Sequence, residues 1–219
     1  MKIRELLEGP VNTSFKTRQL SREMQGYRNR RGRGNIHSGV FSNATADPDP
    51  HMIQKSSNKA LTPNFKEGFR LFIEFINENG YADNPHMPKV YKANKIVGKD
   101  GYYLDTYKTE KLLTYKDISL EEIKNLMYSI LPESEIQEWV SESNDKIEWL
   151  GYLANEIGRE VVNPTKRFKL ESLNEACAIV AEALDKFGVD SDLHYGNILF
   201  RRTRYGLQPV LNDPIYIPD

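Results

Sequence analysis

Between residues 62 and 80 the apolar positions Phe65, Phe69, Phe72, Ile73 and Ile76 recur at helical spacing and form a single face. Thr62-Pro63 ahead of them supplies an N-cap and a proline at the first helical position, and Asn79-Gly80 supplies a stop. Upstream, residues 32–55 are rich in Gly, Ser, Asn, Asp and Pro, with short apolar runs at Val40-Phe41 and Met52-Ile53. They predict two or three short strands, with the clearest turn at residues 46–50. Over residues 88–113 the period changes. Lys89-Val90-Tyr91, Lys95-Ile96-Val97 and residues 102–107 read as strands, and the Asp-Gly of Gly98-Lys99-Asp100-Gly101 marks a hairpin.

From residue 117 the pattern is mostly helical, with polar amphipathic helices predicted over 117–131 and 133–158. The strongest helix covers 170–187, where Leu173, Cys177, Val180, Leu184 and Phe187 form one stripe ended by Gly188. A short strand at Ile198-Leu199-Phe200, a turn through Arg204-Tyr205-Gly206 and a strand at Pro209-Val210-Leu211 follow. A β-rich segment with one helix, then helices closed by a small hairpin, predicts an α+β chain in two lobes. The expected division is an N-terminal arm at 1–31, a β-rich lobe at 32–113 and a helical lobe at 114–219.

Composition narrows the function classes. The chain has 219 residues, enough for one large domain or two small lobes. A formal net charge of −1 gives no global attraction to nucleic acid or to an anionic membrane. Arg18, Arg22, Arg28, Arg30, Arg31 and Arg33 crowd one segment against only Glu23, but no aromatic interleaving or nucleic-acid module accompanies them, so nucleic acid is not an expected partner. The single cysteine, Cys177, excludes an intrachain disulfide and sits on an apolar stripe, where it reads as a buried structural thiol. No apolar run reaches membrane-spanning length and the N-terminus has no signal-peptide core; the expected setting is a reducing cytoplasm without membrane contact.

The chemistry concentrates in Asp190-Ser191-Asp192-Leu193-His194-Tyr195-Gly196-Asn197-Ile198-Leu199-Phe200. Asp and Asn are ordinary turn formers, and their spacing alone says little. An amphipathic helix before them, an apolar strand after them and a further Asp213 beyond the hairpin change that. The five-residue separation of Asp192 and Asn197 resembles that of the kinase catalytic loop. There a carboxylate, here Asp192, faces the attacking hydroxyl, a carboxamide, here Asn197, meets Mg²⁺, and a further carboxylate, here Asp213, reaches the metal from the other side.

This segment resembles the catalytic loop of aminoglycoside and choline phosphotransferases in the protein-kinase-like superfamily, which commonly read Asp-Leu-His-x-x-Asn before apolar residues. The resemblance implies a two-lobed kinase-like fold and transfer of the γ-phosphate of ATP, with Mg²⁺, to a hydroxyl acceptor. Asp192 is then the catalytic base, Asn197 and Asp213 the metal ligands, and His194 an orienting or structural residue. Gly32-Arg33-Gly34-Asn35-Ile36-His37-Ser38-Gly39-Val40 resembles the glycine-rich loop over the phosphates, with Gly32, Gly34, Ser38 and Val40 in the cofactor site. Lys55 resembles the strand lysine that pairs with the phosphates, held by Glu74 or, failing that, Glu67 on the following helix. Residues 84–88 resemble the loop after that helix. Glu110 and Leu112 fall in the expected hinge that reads adenine.

The chain departs from the pattern in two places. Asp213-Pro214-Ile215 lacks the Phe and Gly of the Asp-Phe-Gly motif, which removes the switch built on them. Only six residues follow Asp213, so a truncated helical lobe is expected, with no activation segment or peptide platform. Leu6-Leu7-Glu8-Gly9 fits the pattern cut by prohead proteases of tailed phages and raises phage head components as partners. The competing expectation is a kinase-fold binding or structural protein without turnover, such as a virion or regulatory component.

Overall fold

The computed structural model describes residues 35–38, 42–57, 67–97 and 103–217. The described residues divide into two compact units, one drawn from 35–57 and 90–110, the other from 67–89 and 111–217. The helix over Gly68–Glu78 groups with the second unit. The expected arm at 1–31, with Leu6-Leu7-Glu8-Gly9, and the arginine cluster running on to Arg33 lie outside the described residues.

The first unit is a five-stranded antiparallel sheet in the order β1-β2-β3-β5-β4. The strands are β1 (Asn35–Ser38), β2 (Ser42–Ala46), β3 (Met52–Ser57), β4 (Val90–Val97) and β5 (Tyr103–Glu110). The turn between β2 and β3 forms as the sequence predicts. Asp47 accepts the amide of Asp49 at 3.1 Å and Asp49 accepts that of His51 at 2.9 Å, local bonds that Asp makes readily. β4 runs unbroken through Ala93-Asn94, which the pattern had left between two shorter strands. Its pairing of Val97 with Tyr103 matches the predicted hairpin, whose turn residues are outside those described.

The second unit carries helices α1 (Gly68–Glu78), α2 (Leu120–Ile130), α3 (Glu138–Ser141), α4 (Lys146–Val162) and α5 (Glu171–Phe187). It adds strands β6 (Asp190–Ser191), β7 (Ile198–Thr203), β8 (Gly206–Leu211) and β9 (Ile215–Tyr216). The unit is therefore mixed α and β. The predicted start of α1 at Thr62-Pro63, with Phe65, falls outside the described residues. The described helix has Glu67 at its N-cap and buries Phe69, Phe72, Ile73, Phe75 and Ile76. Phe75 meets Phe187 of α5 edge-on, with ring centroids 5.9 Å apart. α5 in turn packs on α4, and α4 on α2.

One helix prediction is overturned. Residues 133–158 do not form a single helix. A turn of 3₁₀ helix (Glu133–Glu135) and the short α3 precede a break, and α4 begins only at Lys146 and runs past Gly158 to Val162. The break has a local cause: Ser143 Oγ accepts the Asp145 amide at 2.9 Å, and Asp145 accepts the Ile147 amide at 2.8 Å as the N-cap of α4. The helix predicted over 117–131 starts later, at Leu120, because Ser119 and Glu122 form a capping box. α5 follows its prediction closely, with Leu173, Cys177 and Val180 buried and Gly188 ending it in a left-handed conformation at φ 62°. Burial raises the Cys177 thiol far above its ordinary pKa, as expected of a structural cysteine. Among the described residues no helix is long and apolar enough to cross a membrane.

Candidate active site

Gly188 turns the chain out of α5 into β6, which pairs antiparallel with β9 through Asp190–Tyr216 and Ser191–Ile215. The loop from Asp192 to Asn197 is wound by its own backbone: the His194 amide donates to the Asp192 carbonyl at 3.0 Å, and the Asn197 amide to the His194 carbonyl at 2.9 Å. That winding brings the Asn197 side chain back over Asp192. Its Nδ2 donates to the Asp192 carbonyl and to Asp192 Oδ2, each at 2.9 Å.

The β7–β8 hairpin then returns the chain to the same place. Ile198 pairs with Leu211, and the next amide, that of Asn212, donates to the Asn197 carbonyl at 3.0 Å. Two residues on, the Pro214 carbonyl accepts the Asp192 amide at 2.9 Å. Asp213 is thus bracketed, with one neighbour hydrogen bonded to Asn197 and the other to Asp192. The hairpin and the β6–β9 pair thus bring the backbone around Asp213 against the Asp192–Asn197 loop.

Charge is uncomfortable there. Burial pushes the Asp192 carboxyl above the usual carboxylate range; the Asn197 hydrogen bond pulls it down, and the like charge of Asp213 pushes it up again. His194 Nε2 stands 3.9 Å from Asp192 Oδ1, while its Nδ1 accepts the Gly196 amide at 3.0 Å. Tyr195 packs edge-on against Tyr115, centroids 5.5 Å apart, at the rim of the loop.

No family model matches the chain, and no curated protein is similar to it. Among solved structures, the chain is similar to a thermostable mutant of aminoglycoside phosphotransferase APH(4)-Ia in its apo form, at 10% identity over 87% of this chain and 71% of that one. The TM-score is 0.40. The site stands on its own geometry.

The remaining residues expected in the site distribute as follows. Lys55 lies in β3, opposite Ala44 of β2 and Tyr107 of β5, and is buried. Glu74 and Glu67 both belong to α1 in the second unit. Glu74 takes Arg70 Nε at 2.7 Å one helical turn away, whereas Glu67, at the N-cap, is buried. Gly32, Gly34 and Val40 lie outside the described residues. Ser38 is the last residue of β1, so part of the glycine-rich segment is strand. Glu110 ends β5, and just past Leu112 the backbone of Leu113 exchanges two hydrogen bonds of 2.8 Å with Phe200 of β7, tying the expected hinge segment to the hairpin beside Asn197.

Two supporting residues had no signal in the sequence pattern. A Cβ on Gly68 would stand 2.4 Å from the carbonyl oxygen of Ile215, so the first turn of α1 can approach β9 only without a side chain. His86 is fully buried; its Nδ1 donates to the Pro209 carbonyl at 2.7 Å, and its own carbonyl accepts the Leu211 amide at 2.9 Å. It holds the loop after α1 against β8. Burial lowers the ring's pKa from the usual histidine value, which favours the neutral ring that the Pro209 bond holds.

Proposed function

We propose that the chain is an ATP-dependent phosphotransferase acting on a hydroxyl acceptor. The observation that carries this reading is the bracketed arrangement of Asp192, Asn197 and Asp213, in which backbone bonds from both neighbours of Asp213 lead to the other two residues. A carboxylate that ionises reluctantly, next to a second carboxylate and a carboxamide, suits a base that takes a proton from an alcohol beside a metal–phosphate group.

The residues fit Mg²⁺. That ion favours oxygen ligands, keeps several waters and needs only one or two carboxylates besides substrate phosphates. With Asn197 Nδ2 engaged by Asp192, the carboxamide oxygen is the atom left for a cation, and Asp213 supplies the carboxylate. Among the described residues there is no cluster of three or more His, Cys, Asp or Glu side chains that could hold a metal. Bound there, Mg²⁺ would neutralise charge on the transferring phosphate. Asp192 receives the acceptor's proton, and Asn197 holds Asp192 in place. Lys55 is assigned to the α- and β-phosphates, the segment with Gly32, Gly34, Ser38 and Val40 to covering them, and Glu110 and Leu112 to adenine; these roles rest on order along the chain.

The test is transfer of γ-³²P from ATP with Mg²⁺, offering the protein itself, generic proteins and a panel of hydroxylated small molecules as acceptors. Chelating the metal should abolish transfer. Asp213→Ala should weaken Mg²⁺-nucleotide binding far more than Asp192→Ala does, and Lys55→Met should cut turnover about a hundredfold. Failure of the unaltered chain to bind Mg²⁺-nucleotide at all would overturn the reading.

A further inference from the structure

Two histidines of the second unit are held in opposite tautomers. His86 donates from Nδ1 to the Pro209 carbonyl, so its Nε2 is the unprotonated nitrogen, facing Ser172 Oγ at 3.1 Å. His194 does the reverse. Its Nδ1 accepts the Gly196 amide at 3.0 Å, a bond that leaves the ring proton on Nε2 and that a doubly protonated ring could not accept. The ring sits so close to the chain that a Cβ on Gly196 would stand 2.7 Å from Cε1. Glycine at 196 is what lets the backbone reach the imidazole edge.

The Nε2–H so defined faces Asp192. Asp192 Oδ2 is already engaged by Asn197 at 2.9 Å, whereas Oδ1 lies 3.9 Å from His194 Nε2. That gap is too long for a hydrogen bond between the two groups. An oxygen about 2.8 Å from each atom, an ordinary hydrogen-bond length, closes a triangle with a near-right angle at that oxygen. Such an oxygen can donate to Oδ1 and accept from Nε2–H at once.

We propose that His194 positions the acceptor hydroxyl, with its tautomer set by the Gly196 amide. The inference rests on the phosphotransfer reading above. The alcohol's proton points at Asp192 Oδ1, one lone pair is taken by His194 Nε2–H, and the remaining lone pair faces the phosphorus. In the step, that pair forms the new O–P bond, the bond from the γ-phosphorus to the bridging oxygen breaks, and its electrons leave with ADP. The alcohol's proton passes to Asp192, giving a phosphate ester and ADP. An ammonium group has no lone pair to offer Nε2–H, so a protonated amine does not fit the clamp.

The experiment has two arms on the full chain. ¹⁵N spectra of histidine-labelled protein, assigned with His194→Gln, report the tautomer directly, with His86 as an internal example of the opposite form. The expected result is an Nε2–H resonance pattern for His194 that shifts toward Nδ1–H in Gly196→Ala. The second arm measures Mg²⁺-ATP hydrolysis, with water standing in for the alcohol. Glutamine places its amide nitrogen near the Nε2 position and asparagine near Nδ1. His194→Gln should stay within about threefold of the unaltered rate, while His194→Asn and His194→Phe fall about tenfold, one neutral hydrogen bond's worth, with the KM for ATP unchanged. An Nδ1–H pattern for His194, or equal losses in the Gln and Asn variants, overturns the clamp and leaves phosphotransfer standing. Absence of both transfer and hydrolysis in the unaltered chain overturns both.

Discussion

Glu160 and Asp192 are both carboxylates set against loops of the second unit, and their surroundings treat the charge in opposite ways. Glu160, only 1% exposed, accepts the Thr165 amide and hydroxyl at 3.1 Å, the Lys166 amide at 2.8 Å and the Arg167 amide at 3.3 Å. Lys166 adopts a left-handed φ of 58°, part of the turn that aims consecutive amides at one point. Burial pushes Glu160 up, but the amides of Thr165, Lys166 and Arg167 more than reverse it, and the carboxyl ends below the usual range. Asp192 ends above it, because burial and the like charge of Asp213 raise it and the one Asn197 bond does not offset them. One carboxylate spends its charge holding a loop. The other keeps an oxygen available and a reason to take up a proton, the condition expected of a working base.

The largest effect that could break this contrast is on activity. Asp192→Asn should lower phosphoryl transfer about a thousandfold, as loss of a positioned base does, while leaving the urea midpoint nearly unchanged. Glu160→Gln should do the reverse. The amide places a donor among donors and removes the charge they serve, so stability should fall by about 3 kcal/mol, with the KM for ATP retained by the folded fraction. Activity loss in both variants, or stability loss in both, would erase the distinction.

The pH dependence of unfolding sharpens it further. Because the Glu160 carboxyl is depressed in the folded chain, the native state binds fewer protons than the unfolded state across the window below the ordinary carboxylate pKa. Its stabilisation is therefore present above that window and lost as pH falls through it. Urea midpoints measured from neutral to acid pH should drop more steeply for the unaltered chain than for Glu160→Gln.

A smaller effect should reach the site through packing. Gly68→Ala forces a Cβ against the Ile215 carbonyl and should cost about 2 kcal/mol, as overpacking against backbone does. Ile215 follows Pro214, whose carbonyl fixes the Asp192 amide, so transfer should fall along with melting temperature. Transfer unaffected by Gly68→Ala would mean that the β9 frame does not set Asp192.

What the sequence shows of all this depends on how local each feature is. The stripe of α5, the hairpin at residues 198–211 and the spacing of Asp192 from Asn197 are legible because each is closed by contacts among neighbours, as the Asn197–Asp192 bonds across five residues illustrate. The break before α4 carried a local signal too, in Ser143 and Asp145, but the polar periodicity around it masked the caps. The Glu160 nest was not legible, since nothing in Thr165-Lys166-Arg167 announces a left-handed lysine. Gly68 reads as an ordinary glycine near a helix start until β9 is seen against it, and the burial of Glu67 at the N-cap likewise follows from packing and not from helical period.

The smallest effect expected is at the start of α2, and it asks whether any well-satisfied carboxylate behaves like Glu160. Glu122 accepts the Ser119 amide at 2.8 Å and the Ser119 hydroxyl at 3.0 Å, and the Ser119 hydroxyl accepts the Glu122 amide at 3.2 Å. Those bonds to Ser119, with a lesser pull from Arg202 of β7, hold its carboxyl below the usual range, the same sense as Glu160. Unlike Glu160 it is open to water, and water can replace the lost partners. Ser119→Ala should therefore cost only about 1 kcal/mol, the usual worth of an N-cap, seen as a melting temperature lower by about 2–4 °C for a chain of this size. Transfer at a temperature where both proteins are folded should not change. A loss as large as that of Glu160→Gln would show that hydrogen-bond count, and not burial, decides what a satisfied carboxylate contributes here.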